Sequence, residues 1–205
     1  MPITKELIEE AILNFCQEFV GSPYLCYTEH GLHALFFSRL MDKVPEHERY
    51  ASLYGERICL VQKEYPTHTD LGKGRRQHWD IAIIDPSGVA NGTPELDHLP
   101  LMAAVEFGMN EPREHLVEDI RRLSEDTNSR HKYIVHLYRF SQGTSGRDWR
   151  PNCTRAMSPD EVVEACAEGP LPQAVTVLYG VSDRANGTSA LYQIDSSGKR
   201  RIASY

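Results

Sequence analysis

Apolar residues recur at helical spacing at the start of the chain and at strand spacing from the middle onward. Over residues 3–20, Ile3, Leu7, Ile8, Ala11, Ile12, Phe15 and Phe19 fall on one stripe, which predicts an amphipathic helix. Thr4 is placed to cap it, and Gly21-Ser22-Pro23 to stop it. A second helix is predicted over 28–42, capped by Thr28, with Leu32, Leu35, Phe36 and Leu40 on its apolar face. Glu29 and His33 are four apart on that helix and share a face. The plain account of Glu29 is a favourable charge at a helix N-terminus.

From residue 57 the pattern shifts. Strands are predicted over 57–65, 78–84, 101–109 and 132–140, the last nearly continuous in apolar character, as an interior strand should be. Asn110 and Pro112 open a helix over about 111–125, in which Glu118 and Arg122 are spaced to pair. Ser158 and Glu161 form a capping box for a helix through about Ala167. Strands over 173–180, 189–194 and 201–204 complete the order. Residues 43–50, 67–76, 89–100 and 141–156 read as loops, and 85–88 as a tight turn. Three consecutive strands imply an antiparallel beginning, and the later strand–helix–strand units a parallel portion. The expected architecture is one α/β domain over 1–205: a mixed central β-sheet flanked by helices.

Two apolar strands each carry an acid. Period two puts His78, Asp80, Ala82 and Ile84 on one face of their strand, and Met102, Ala104, Glu106 and Gly108 on one face of theirs. An acid inside such a run is costly unless it is solvated, paired or holding a cation. Asp80 and Glu106 on neighbouring strands therefore suggest a site for Mg²⁺ or Mn²⁺, hard ions that take oxygen ligands. Glu29 is a third candidate acid and Glu64 a fourth. Lys63, Lys73, Arg75 and Arg76 are cations placed to reach a phosphate, with Arg147, Trp149 and Arg150 as a second polyanion-contacting group. The simpler alternative pairs Asp80 with Arg75 or Arg76, and Glu106 with Lys132 or a histidine. A histidine-based zinc site is the weaker expectation, because His68 and His78 are isolated in sequence. A glycosidase pair of acids lacks the aromatic groove it would need.

Composition narrows the classes. Forty per cent hydrophobic and 25% charged residues describe a globular chain. The net charge of -7 disfavours nucleic-acid binding by the whole surface, though not by a local basic patch. The five cysteines form no CxxC pair, which points to thiols in a reducing, cytoplasmic compartment. No apolar run reaches membrane-span length, so no membrane partner is expected.

The order of an acid on an early helix (Glu29), a strand and hairpin, Asp80 on the next strand and Glu106 in a third apolar strand, then helix and strand, resembles the PD-(D/E)XK nuclease superfamily. The resemblance covers about residues 28–140, flanked by an N-terminal helix and C-terminal helix and strand additions. It implies a restriction-endonuclease-like core and metal-dependent hydrolysis of nucleic-acid phosphodiesters, DNA before RNA. Asp80 and Glu106 would be metal ligands and Glu29 the auxiliary helix acid. Specificity would come from loops, a homodimer or a recognition partner. The chain departs from the motif where a lysine would follow two residues after the third-strand acid. Gly108 stands there, so either another cation such as Lys73 supplies the charge, or the protein is a catalytically impaired binding module.

Overall fold

Thr4 and Thr28 cap the first two helices as the pattern predicts. In the computed structural model, Thr4 Oγ1 accepts from the Leu7 amide and Thr28 Oγ1 from the Gly31 amide. The structure describes residues 3–67, 77–90, 99–139, 157–168, 175–182 and 189–204. The helices are α1 (Lys5–Gly21), α2 (Glu29–Lys43), the short α3 (Pro86–Ala90), α4 (Arg113–Glu125) and α5 (Pro159–Ala167). The strands are β1 (Tyr50–Leu53), β2 (Glu56–Cys59), β3 (Val61–Pro66), β4 (His78–Ile84), β5 (Leu101–Met109), β6 (Ser129–Arg139), β7 (Val175–Ser182), β8 (Ala190–Asp195) and β9 (Gly198–Ser204).

Strands β3 to β9 form one mixed sheet in chain order, and β1 and β2 form a separate hairpin. The pairs β3–β4 and β4–β5 are antiparallel, β5–β6 and β6–β7 parallel, and β7–β8 and β8–β9 antiparallel again. The parallel steps fall where a helix separates the strands, because a parallel partner needs a long crossover.

Adjacent residues of β5 show how the helices divide between the two faces. Phe107 packs against Phe15 of α1 and Phe36 of α2, with ring centroids 6.1 and 5.2 Å away. Glu106, pointing the other way, meets Arg122 of α4. α1 and α2 therefore cover one face and α4 the other, with α5 packed on α4. Both faces of the central strands are dry: Ile81, Ile83, Ala104, Val105, Ile134 and Val135 are fully buried. At about 1.5–3 kcal/mol for each large apolar side chain, this burial dominates the fold's stability.

Several boundaries differ from the sequence pattern. The predicted strand over 57–65 is two strands broken at Leu60, whose amide bonds Arg49 O and whose carbonyl accepts from Ile84. The predicted turn at 85–88 continues into α3, because Asp85 Oδ1 accepts from the Ser87 amide and hydroxyl and starts a helical turn. Asn110 does not cap α4. It takes φ 58° at the end of β5, a left-handed conformation asparagine tolerates, and its Oδ1 accepts from the Arg139 amide. Pro112 holds the cap position instead. The capping box of α5 forms as expected from Ser158 and Glu161.

Candidate functional site

Strand register gathers the acids. In β3–β4, Lys63 faces Ile81 and Tyr65 faces Trp79, so Glu64 stands opposite Asp80. In β4–β5, Ile81 faces Val105, and one step further the same register sets Asp80 opposite Glu106. Glu64, Asp80 and Glu106 thus form a row across three strands. The row lies where the β4–β5 ladder ends. Asp80 fills the opening, its Oδ2 accepting from the Phe107 amide at 2.8 Å. Glu64 has φ 52°, which turns it out of the ladder.

Helices close the site from both faces. The N-terminal residue of α2, Glu29, reaches the end of β5, where Oε2 lies 3.4 Å from the Met109 amide. His33, one turn further on, places Nδ1 3.6 Å from Asp80 Oδ1 and 3.9 Å from Glu64 Oε1. From the other face, Arg122 Nη2 pairs with Glu106 at 2.8 Å and donates to His78 O at 2.8 Å. Asp119, one turn earlier on α4, lies 3.6 Å from Arg122 and 3.1 Å from His115 Nδ1.

Carboxyls outnumber cations here, and their pKa values rise accordingly. Burial pushes Asp80 up to about 6, opposed by the Phe107 amide. Burial also raises Glu29, to about 7, with help from the charges of Glu111 and Asp80. Glu106 is raised well above the usual carboxylate range, first by burial and then by the charges of Asp80 and Asp119. His115 rises as well, to about 9, because the Asp119 carboxylate 3.1 Å from its Nδ1 favours the charged ring. Burial lowers His33 to about 4, which leaves a neutral imidazole.

The structure brings Glu29, Asp80, Glu106 and Glu64 together. Lys73, Arg75, Arg76, Arg147, Trp149 and Arg150 lie outside the described residues. The simpler pairing for Glu106 is corrected: Lys132 donates to the Asp126 carbonyl, and Arg122 is the partner of Glu106. The predicted Glu118–Arg122 pair is replaced by Arg121, which bonds both Glu118 and Glu125. Sequence reasoning missed His115, Asp119 and Arg122 as site residues. Their spacing of four and then three along α4 was the available signal.

Gly108 has a physical explanation. It sits opposite His136 in the parallel β5–β6 ladder, and a Cβ at position 108 would come within 2.8 Å of His136 Nδ1. His136 is fully buried, with Nε2 3.2 Å from Glu111 O. An imidazole from the next strand fills the space a longer side chain at 108 would need. Gly108→Ala is expected to cost about 1–3 kcal/mol in urea denaturation through overpacking. In a His136→Ala background that cost should largely vanish, a coupling read from the double-mutant cycle. Equal costs in both backgrounds would contradict this packing.

No family model matches the chain, and no curated protein matches it. Among solved structures, it is similar to the YaeQ protein from Pseudomonas syringae, with 9% identity and a TM-score of 0.22 over 70% of this chain. The alignment covers 65% of YaeQ. No helix among the described residues is long and apolar enough to cross a membrane.

Proposed function

We propose that this protein hydrolyses nucleic-acid phosphodiesters with Mg²⁺ or Mn²⁺ at a PD-(D/E)XK-like site. The observation that carries this reading is the convergence of Asp80 and Glu106 at the open end of the β4–β5 ladder, with Glu29 behind them. The donor set fits: these are oxygen ligands only, in a pocket whose carboxyl pKa values are raised by burial and mutual repulsion. Asp80 and Glu106 would hold the cation, which supplies Lewis acidity to the attacking water and to the phosphate. Glu29, poised near neutrality, is suited to accept a proton from that water. His115, held protonated by Asp119, brings positive charge to the Glu29 side that no residue at 108 can supply.

One domain over 1–205 is supported by a buried cluster running from α1 through β8. A cytoplasmic setting is supported by the free thiols of Cys16, Cys26, Cys59 and Cys166. DNA is the proposed substrate, contacted by Lys73, Arg75, Arg76, Arg147 and Arg150, with specificity from loops, from a homodimer or from a partner. The second reading, a catalytically impaired binding module, is favoured by one observation: Arg122 already occupies Glu106, with Nη2 2.8 Å from its Oε1.

The test is a panel of single-stranded, duplex and branched DNA and RNA, incubated with the full chain in Mn²⁺ or in EDTA. Metal-dependent cleavage of any member is the expected result. Affinity without turnover would select the binding module, and neither affinity nor turnover would overturn both readings.

A further inference from the structure

We propose that His30, His33 and Glu64 form a separate site for a first-row transition-metal ion of the Zn²⁺ or Co²⁺ class, beside Asp80. The ligand atoms of these three side chains all lie within 4.8 Å of one another. His33 anchors the group. It is 2% exposed, held between Phe107 and His30 with ring centroids 5.2 and 5.8 Å away, and neither ring nitrogen has a hydrogen-bond partner among the described residues. Its Nδ1 faces two carboxylates, Glu64 Oε1 at 3.9 Å and Asp80 Oδ1 at 3.6 Å.

Those separations suit an ion. Metal–ligand bonds of about 2.0–2.1 Å in a tetrahedron place donor atoms roughly 3.3–3.4 Å apart. Within the proposed set, the His33–Glu64 pair at 3.9 Å must close by about half an ångström, and the widest separation, within 4.8 Å, by up to about 1.5 Å. His30 and Glu64 are exposed, so their side chains are free to make that adjustment. The left-handed backbone at Glu64 turns it out of the β3–β4 ladder, and its side chain lies toward His33.

Donor chemistry sets the preference. Two imidazoles and one carboxylate favour Zn²⁺, Co²⁺ or Ni²⁺ over Mg²⁺, whereas the Asp80–Glu106 pair offers oxygen alone. The site does not rest on the nuclease reading, because it uses a different donor set and needs no substrate. A histidine-based site is the weaker expectation from sequence, resting on His68 and His78; His68 lies outside the described residues, and the α2 pair at 30 and 33 is what the fold brings to Glu64.

The experiment is a Co²⁺ titration of the EDTA-treated full chain, read by visible d–d absorption and by calorimetry, then repeated with Zn²⁺. Wild type should bind a single equivalent of Co²⁺ with nitrogen-ligand bands that excess Mg²⁺ does not remove. His30→Ala and Glu64→Gln change exposed side chains and should keep the fold, yet weaken Co²⁺ binding at least about tenfold. Glu106→Gln should leave it within about twofold, which separates this site from the oxygen pair. Unchanged Co²⁺ affinity in both His30→Ala and Glu64→Gln would overturn the proposal. So would loss of binding in Glu106→Gln alone.

Discussion

Asp80→Asn is expected to reduce metal-dependent cleavage by at least about 10²–10³-fold, the scale of losing one group that stabilises transition-state charge. The substitution keeps an acceptor for the Phe107 amide, so the β4–β5 opening should hold its shape. What it removes is the charge that a cation needs. The same variant should lose the thermal stabilisation that Mn²⁺ gives the wild type. At a hundredfold excess over Kd that stabilisation is about 2.7 kcal/mol, a rise of roughly 5–10 °C for a chain of this size. Cleavage and thermal shift should disappear together, because both depend on one carboxylate. If Asp80→Asn abolished cleavage but kept the Mn²⁺ shift, Asp80 would have a role other than holding the ion.

Without metal, Asp80→Asn should make the protein more stable at neutral pH. The folded-state pKa of Asp80, about 6, lies above its ordinary 3.8 because burial penalises the charged form. The unfolded chain therefore releases this proton more readily than the folded one. The corresponding stability is fully present below pH 3.8 and is lost as pH rises through about 6. By pH 7.5 the loss amounts to up to about 2–3 kcal/mol. Other groups titrate nearby with opposing signs. His33 and His136, held near 4, gain stability as pH rises toward 6.5, while His115, held near 9, loses it above 6.5. The informative quantity is the difference between wild type and variant in urea denaturation from pH 4.5 to 7.5. It should favour the variant increasingly across that window, and saturating Mn²⁺ should reverse it. A flat difference would mean that the Asp80 carboxyl is solvated in the folded state.

Regular elements with one apolar face were the easiest to read from sequence. α1, α2 and α5 sit within a residue or two of their predicted bounds, and β4 and β5 match theirs, because apolar period and capping residues agree at each. The break at Leu60 was not legible. It depends on backbone bonds to Arg49 and Ile84, which are distant in sequence. The same applies at the site. Asp80 and Glu106 stand out as acids inside apolar strands, and their meeting follows from simple register. Arg122 does not stand out, because helix spacing offers it Glu118, and only the packing of α4 on β5 brings it to Glu106. Gly108 read as a missing lysine. The reason for it, a buried imidazole on the adjacent parallel strand, exists only once β5 and β6 are paired in register.

Anomalous diffraction from crystals grown with Mn²⁺ addresses the carboxylate pair most directly. A peak within about 2.0–2.6 Å of carboxylate oxygens from both Asp80 and Glu106, with Arg122 displaced from Glu106, is the result the account predicts. At saturating Mn²⁺, an intact Arg122–Glu106 pair with no peak between the two acids would contradict it.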